Sequence, residues 1–178
     1  MTGSVRRFES GFVCLREDTL LTPDGDAFDR VVVEHKGAVG VVALDDADRV
    51  LLLRQYRHAV GGRLLELPAG IRDVDGEEPR VTAARELAEE AGVVAGHWTD
   101  LVQMWSSPGM TDEHWHVYLV RDLTAAAPES VPAARHEEAY LEVVWVPLAD
   151  AVAAVLEHRM QSPMAVAGLL AAWAHRPS

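Results

Sequence analysis

Four residues of this chain have the types and spacing to do chemistry together: Arg85, Glu86, Glu89 and Glu90. A helix advances about 100° per residue, so these four share one arc, while Ala83, Ala84, Leu87, Ala88 and Ala91 share the opposite one. Glutamates at such spacing repel, at a few tenths of a kcal/mol per i,i+4 pair, and something must offset that cost. A solvated acidic face is the commonest use of such a pattern. Hard divalent cations are the other, because they are held by carboxylate and carbonyl oxygens and Mg²⁺ shares its shell with substrate phosphates. Glu86 and Glu90, one turn apart, are spaced for that role.

The surroundings favour the cation. Pro68, Ala69 and Gly70 form a turn after the apolar Leu64, Leu65 and Leu67, and a polar loop containing Gly76 follows. Pro79 stands where a helix begins and Gly92 where it ends, predicting a helix over about 79 to 91. The segment from Gly70 to Val93 closely resembles the Nudix box, G-x5-E-x7-R-E-U-x-E-E-x-G-U with U aliphatic. Glu77, Arg85, Glu86, Leu87, Glu89, Glu90, Gly92 and Val93 match in register. One departure precedes them: six residues, not five, separate Gly70 from Glu77, an extra residue that Gly76 can absorb because glycine tolerates positive φ.

The elements that must position this face read as a mixed α/β chain. Residues 10 to 22 alternate loosely and end in the turn Thr22-Pro23-Asp24-Gly25-Asp26; Arg30 to His35 and Gly37 to Leu44 read as strands, the second almost wholly apolar and therefore central. Further strands are expected at Val50 to Tyr56, Arg63 to Leu67, about 98 to 105, 114 to 121, and Tyr140 to Val146, with a Pro/Ala-rich loop at 124 to 134. Two helices close the chain, one over Asp150 to His158 and one with Ser162 as N-cap and Pro163 at the first helical position. Periodicity alone gives mixed α and β; the Nudix resemblance implies an α/β/α sandwich with a mixed sheet.

Composition sets the bounds. The 178 residues suit a single domain over 1–178, nearly half hydrophobic and a quarter charged. A formal charge of -12 argues against a nucleic-acid partner, which needs clustered lysine and arginine. No apolar run has the ~18 residues of a membrane span and no secretory h-region leads the chain, so the expected setting is cytoplasmic, without a membrane partner. Cys14, the single cysteine, excludes an internal disulfide and a cysteine-rich zinc site and reads as a small apolar strand residue. His114 and His116 share one strand face without a third ligand and read as strand surface.

The resemblance also implies a substrate branch. In the Nudix family a proline about 15 residues beyond the box marks ADP-ribose pyrophosphatases, and Pro108 with Gly109 lies there, in S-S-P-G-M-T-D-E. The Gln55-Tyr56-Arg57 segment resembles the same branch. Arg57 is a candidate phosphate or ribose clamp, with a surface ion pair as its rival. Glu66 resembles a branch position that contacts adenine or pairs with an arginine. Trp98, Trp105 and Trp115 have the rings to stack a base, with a core role the more ordinary use of each.

The activity implied is cleavage of the pyrophosphate of ADP-ribose to AMP and ribose 5-phosphate with Mg²⁺ or Mn²⁺. By resemblance Glu86, Glu90, Glu89 and the Ala69 carbonyl hold the metal, and Arg85 orients a neighbouring glutamate. Glu138, with Glu137 as understudy, supplies a loop glutamate as base, against a solvated charged turn as the alternative reading. Other nucleoside diphosphate derivatives, such as a nucleotide-sugar, a dinucleoside polyphosphate or an oxidised nucleotide, remain open, as does non-catalytic nucleotide binding. The branch forms homodimers through exchanged N-terminal strands, a role expected of residues 1–35.

Overall fold

A computed structural model describes residues 1–11, 13–127 and 140–176. In chain order they form β1 (Gly3–Ser10), β2 (Val13–Leu21), β3 (Ala27–His35), β4 (Ala38–Ala43), β5 (Arg49–Arg57), β6 (Gly62–Glu66), β7 (Ala69–Ile71), α1 (Pro79–Ala91), β8 (Val93–Trp105), β9 (His114–Ala125), β10 (Glu142–Pro147), α2 (Leu148–Leu156) and α3 (Pro163–Ala174). The strands make three sheets, ordered β1-β2-β3, β10-β5-β6 and β7-β4-β9-β8. All named pairs are antiparallel except β4 with β9, where Ala38 faces Trp115 and Ala43 faces Val120 in parallel.

β4 is buried along its whole length, as its apolar run demands. Successive side chains point to opposite faces of a strand, and β4 and β5 thereby feed two separate cores. Val39, Val41 and Ala43, with Leu51 and Leu53, pack under α1 against Ala83 and Leu87. Ala38, Val42 and Leu44, with Val50 and Leu52, pack under α2 and α3 against Leu148, Ala165 and Leu169. The result is an α/β/α layering. Each fully buried leucine in it contributes about 1.5–3 kcal/mol of apolar burial.

α1 keeps the limits its sequence signals set: Pro79 opens it, and the Gly92 N–H closes it onto the Ala88 and Leu87 carbonyls. Other boundaries move. β1 was not legible as a strand: it is exposed on both faces and has no apolar side to alternate. β8 begins at Val93 rather than about 98, and β9 runs on to Ala125, because the two form one long hairpin with a bulge between Asp100 and Val102. β10 begins at Glu142 rather than Tyr140, and α2 begins at Leu148 rather than Asp150. Ser162 does precede α3, yet its side chain makes no capping hydrogen bond.

The N-terminal sheet is tied to the body through Arg16. Its guanidinium reaches Glu34 at 2.7 Å, Asp18 at 2.9 Å and Asp112 at 3.2 Å, and Val33 bridges Thr111 in parallel beside it. Cys14 is buried within β2, as expected of a small apolar strand residue. No helix among the described residues is long and apolar enough to cross a membrane.

Candidate active site

A cavity of about 680 Å³ opens between α1, β7, the β5–β6 hairpin and the start of α3. That volume suits a nucleotide-sized ligand. Its wall gathers Arg85, Glu86, Glu89 and Glu90 from α1, Ala69 and Gly70 from β7, and Arg57 and Glu66 from the hairpin. The acidic arc of α1 therefore lines a cavity wall.

Gly70 explains how Glu86 enters. A Cβ at that position would collide with the Glu86 carboxyl group, so the side chain lies in space that only glycine leaves open. Burial pushes the Glu86 carboxyl up from the ordinary carboxylate range, and Arg85 beside it only partly pulls it back. Arg85 is the hub of the arc: Nη1 donates to Glu86 Oε1 at 2.7 Å, and the guanidinium lies 3.5 Å from Glu89, Glu77 and Asp73. Burial disfavours the charged guanidinium, but these carboxylates outweigh it and raise the Arg85 pKa. One cation thus serves four carboxylates.

The extra loop residue before the helix does not displace Glu77. Gly76 takes φ +79°, the Glu77 N–H closes a turn onto the Val74 carbonyl, and the Glu77 carboxylate returns to Arg85 while accepting the Thr82 hydroxyl at 2.7 Å. Glu90 is fixed otherwise: its Oε2 accepts the Ala69 N–H at 2.9 Å. That bond leaves the Ala69 carbonyl outside the Glu90 contact, and Ala69 itself on the cavity wall.

This donor set fits a hard divalent cation. Three glutamates and an aspartate stand around a single guanidinium, with Glu86 held where its charge is disfavoured. A divalent ion would relieve both the burial and the repulsion. Among the described residues no three His, Cys, Asp or Glu side chains already converge as a closed cage, so such an ion would draw Glu86, Glu89 and Glu90 together.

On the opposite wall, Arg57 grips Glu66 from two nitrogens, with Nη2 at 2.6 Å and Nε at 3.1 Å from its oxygens. Of the two partners expected for Glu66, the structure supplies the arginine. Glu66 is buried and Arg57 half-exposed, so the ion pair sets the orientation of the guanidinium on the cavity wall. Sequence reasoning missed several wall residues: Asp73 in the loop after β7, His35 at the end of β3, Glu113 before β9, and Ser162. His35 Nδ1 accepts the Gly37 N–H at 3.1 Å and lies 3.4 Å from Glu113, a pairing of residues too far apart in the chain for any spacing rule.

Other candidates fall elsewhere. Pro108 and Gly109 lie in an exposed turn at 107–110 and do not line the cavity. Glu137 and Glu138 lie outside the described residues. Trp98 packs edge-on against Tyr118 in the core under α1 and donates to the Ala95 carbonyl, whereas Trp105 is exposed rather than buried, against His114. Trp115 packs on the second core and lines the cavity. Burial first, then neighbouring His114, lower the His116 pKa; the two rings meet at 3.1 Å, and no third ligand stands beside them among the described residues.

Comparison with known proteins agrees with this geometry. Residues 34–166 match the model of the NUDIX domain. The chain is 46% identical over 157 residues to a protein of Mycobacterium tuberculosis named ADP-ribose pyrophosphatase, covering 88% of this chain and 74% of that one. A Bacillus subtilis protein of the same name is 34% identical over 145 residues, covering 82% and 76%. A crystal structure titled as an ADP compounds hydrolase superposes with a TM-score of 0.81 over 97% of this chain and 91% of its own, at 22% identity, a likeness of fold.

Proposed function

The chain belongs to the Nudix family, and from that premise we propose that it hydrolyses the pyrophosphate of ADP-ribose to AMP and ribose 5-phosphate with a divalent cation, Mg²⁺ or Mn²⁺. The observation that carries the reading is the α1 carboxylate arc turned into a nucleotide-sized cavity, with Gly70 vacated for Glu86. The two relatives named ADP-ribose pyrophosphatase supply the substrate class.

A bound divalent cation would neutralise charge gathering on the phosphate oxygens and lower the pKa of an attacking water. Glu86 and Glu90 are its proposed principal ligands, Glu89 a ligand or a base through water, and the Ala69 carbonyl a further ligand. Arg85 restrains Glu86 by the 2.7 Å bond and balances the arc before the ion arrives. Arg57, oriented by Glu66, offers its guanidinium to a phosphate or ribose oxygen. Glu138 is the proposed general base, with Glu137 second, by family resemblance. Pro108 and Gly109 sit outside this chain's cavity, and their substrate role is proposed by family resemblance alone. A homodimer through β1–β3 is the assembly we assign, supported by a β1 exposed along its whole length with Val5 and Phe8 on its surface.

Product analysis with ADP-ribose and Mg²⁺ tests the reading, using wild type, Glu90→Gln and Glu138→Gln. AMP formation lost in Glu90→Gln supports it. Full activity in that variant removes the metal assignment, and full activity in Glu138→Gln alone moves the base into the box. A panel with nucleotide-sugars and dinucleoside polyphosphates separates the neighbouring substrates. Nucleotide binding without product would identify a non-catalytic domain.

A further inference from the structure

α3 begins on the cavity wall. Ser162, Pro163 and Met164 all line it. Ser162 occupies the N-cap position and is 6% exposed, yet its hydroxyl caps nothing and has no hydrogen-bond partner among the described residues. Pro163 has no N–H to offer, and the Met164 N–H has no acceptor among the described residues. The first helical bond runs from the Val166 N–H to the Ser162 carbonyl at 2.9 Å. A helix start leaves its first N–H groups without intrahelical partners, so an uncapped end whose Ser162 hydroxyl and Met164 line the cavity offers donors to an acceptor there.

The position of this helix start relates it to the carboxylate arc. The Met164 thioether packs so closely on Gly40 that a Cβ there would collide with it. Gly40 pairs with Ala69 across β4 and β7, and the Ala69 N–H is held by Glu90. Two paired strands, β4 and β7, therefore link the start of α3 to Glu90. The helix end carries partial positive charge and converging donors, which select an anion.

We propose that the start of α3 is an anion-binding position for the substrate, in which the Ser162 hydroxyl and the Met164 N–H take an oxygen of its diphosphate. The proposal deepens the hydrolase reading and rests on it. It makes Ser162 a substrate-binding residue rather than a cap.

Steady-state hydrolysis of ADP-ribose at saturating Mg²⁺, thermal melting, and calorimetry with inorganic pyrophosphate and Mg²⁺ test it in wild type, Ser162→Ala, Ser162→Thr and Ser162→Asp. Ser162→Ala is expected to raise KM roughly three- to tenfold with a smaller effect on kcat, and Ser162→Thr, which keeps the hydroxyl, to restore KM. Ser162→Asp places a carboxylate where the phosphate oxygen would sit and is expected to raise KM more than about tenfold, while Tm holds or rises because aspartate is a good N-cap. KM unchanged in both Ser162→Ala and Ser162→Asp overturns the proposal. If wild type leaves ADP-ribose intact but binds pyrophosphate, and Ser162→Asp weakens that binding about tenfold, the activity falls and the anion position stands. If wild type neither cleaves ADP-ribose nor binds pyrophosphate, both fall. Should Ser162→Asp fail to fold, Ser162→Ala and pyrophosphate binding decide.

Discussion

Gly70→Ala is the sharpest perturbation the structure offers, because one methyl group would enter the space held by the Glu86 carboxyl. Gly70 is paired to Val39 in an extended strand and has no positive φ, so alanine is compatible with the backbone. What must move is the far end of a flexible side chain. Moving it costs about 0.5–1.5 kcal/mol for a poorer rotamer and about 1 kcal/mol for the 2.7 Å bond to Arg85, which is partly exposed to solvent. The sum is about 2 kcal/mol, or roughly 4–8 °C in Tm for a chain of this size. Activity is expected to fall far more, by roughly 100-fold or about 2.7 kcal/mol of transition-state stabilisation, because Glu86 would be driven from its proposed cation position.

The double variant Gly70→Ala/Glu86→Gln isolates the cause. If alanine acts through Glu86, the double variant is no slower than Glu86→Gln alone, since contacting residues are not additive. Steady-state kinetics with Mg²⁺ titration, alongside thermal melts, measures both quantities. Activity of Gly70→Ala within about fivefold of wild type, or fully additive losses in the double variant, would refute the assignment of Glu86 to the cation.

Three further outcomes are expected. Leu87→Ala removes a side chain with no solvent exposure from the core under α1 and should cost about 2–5 kcal/mol, read as a lowered denaturant midpoint; a loss below about 1 kcal/mol would contradict the packing. Thr82→Val removes the buried donor to Glu77 and should destabilise by about 1–2 kcal/mol in the same assay, and an unchanged midpoint would mean Glu77 is not anchored there. In the N-terminal sheet, hydrogen bonds from the Ser4 hydroxyl and Arg16 hold Asp18 below its ordinary pKa, and those from the Cys14 thiol and Arg16 do the same for Glu34. Carboxylates depressed in the folded state stabilise it above their unfolded pKa and lose that contribution as pH falls through the folded values, here below the ordinary carboxylate range. Hydrogen exchange in residues 13–35, corrected for intrinsic rates, should therefore lose protection between pH 7 and pH 3, and equal protection at both would refute it.

The helix that carries the chemistry was the most legible part of the chain. Its limits are written in local residue types, Pro79 and Gly92, and its two arcs follow from the helical period. β4 was legible for a similar reason, because a strand covered on both faces has to be apolar throughout. What sequence could not supply was contact between distant segments. Arg57 with Glu66 depends on the β5–β6 register, His35 with Glu113 on the meeting of β3 with the segment before β9, and the space for Glu86 on a glycine from another strand. Ser162 is the instructive case: its type signalled a cap, which the sequence could state, while its idle hydroxyl appears only when the cavity in front of it is known. β1 left no periodic trace because it has no buried face.

The parallel pairing of β4 with β9 has a kinetic consequence. The chain between them includes α1 and the whole acidic arc, so that ladder closes only after a long loop has been drawn in, the slow kind of contact for a folding chain. Gly70 and Ala69 reach their places through β4, and the wall residue Trp115 through β9. The proposed cation pocket is therefore expected to form late in folding, and its first appearance in a refolding experiment, followed by Mn²⁺ uptake, should coincide with formation of the central sheet rather than with the earlier growth of helix.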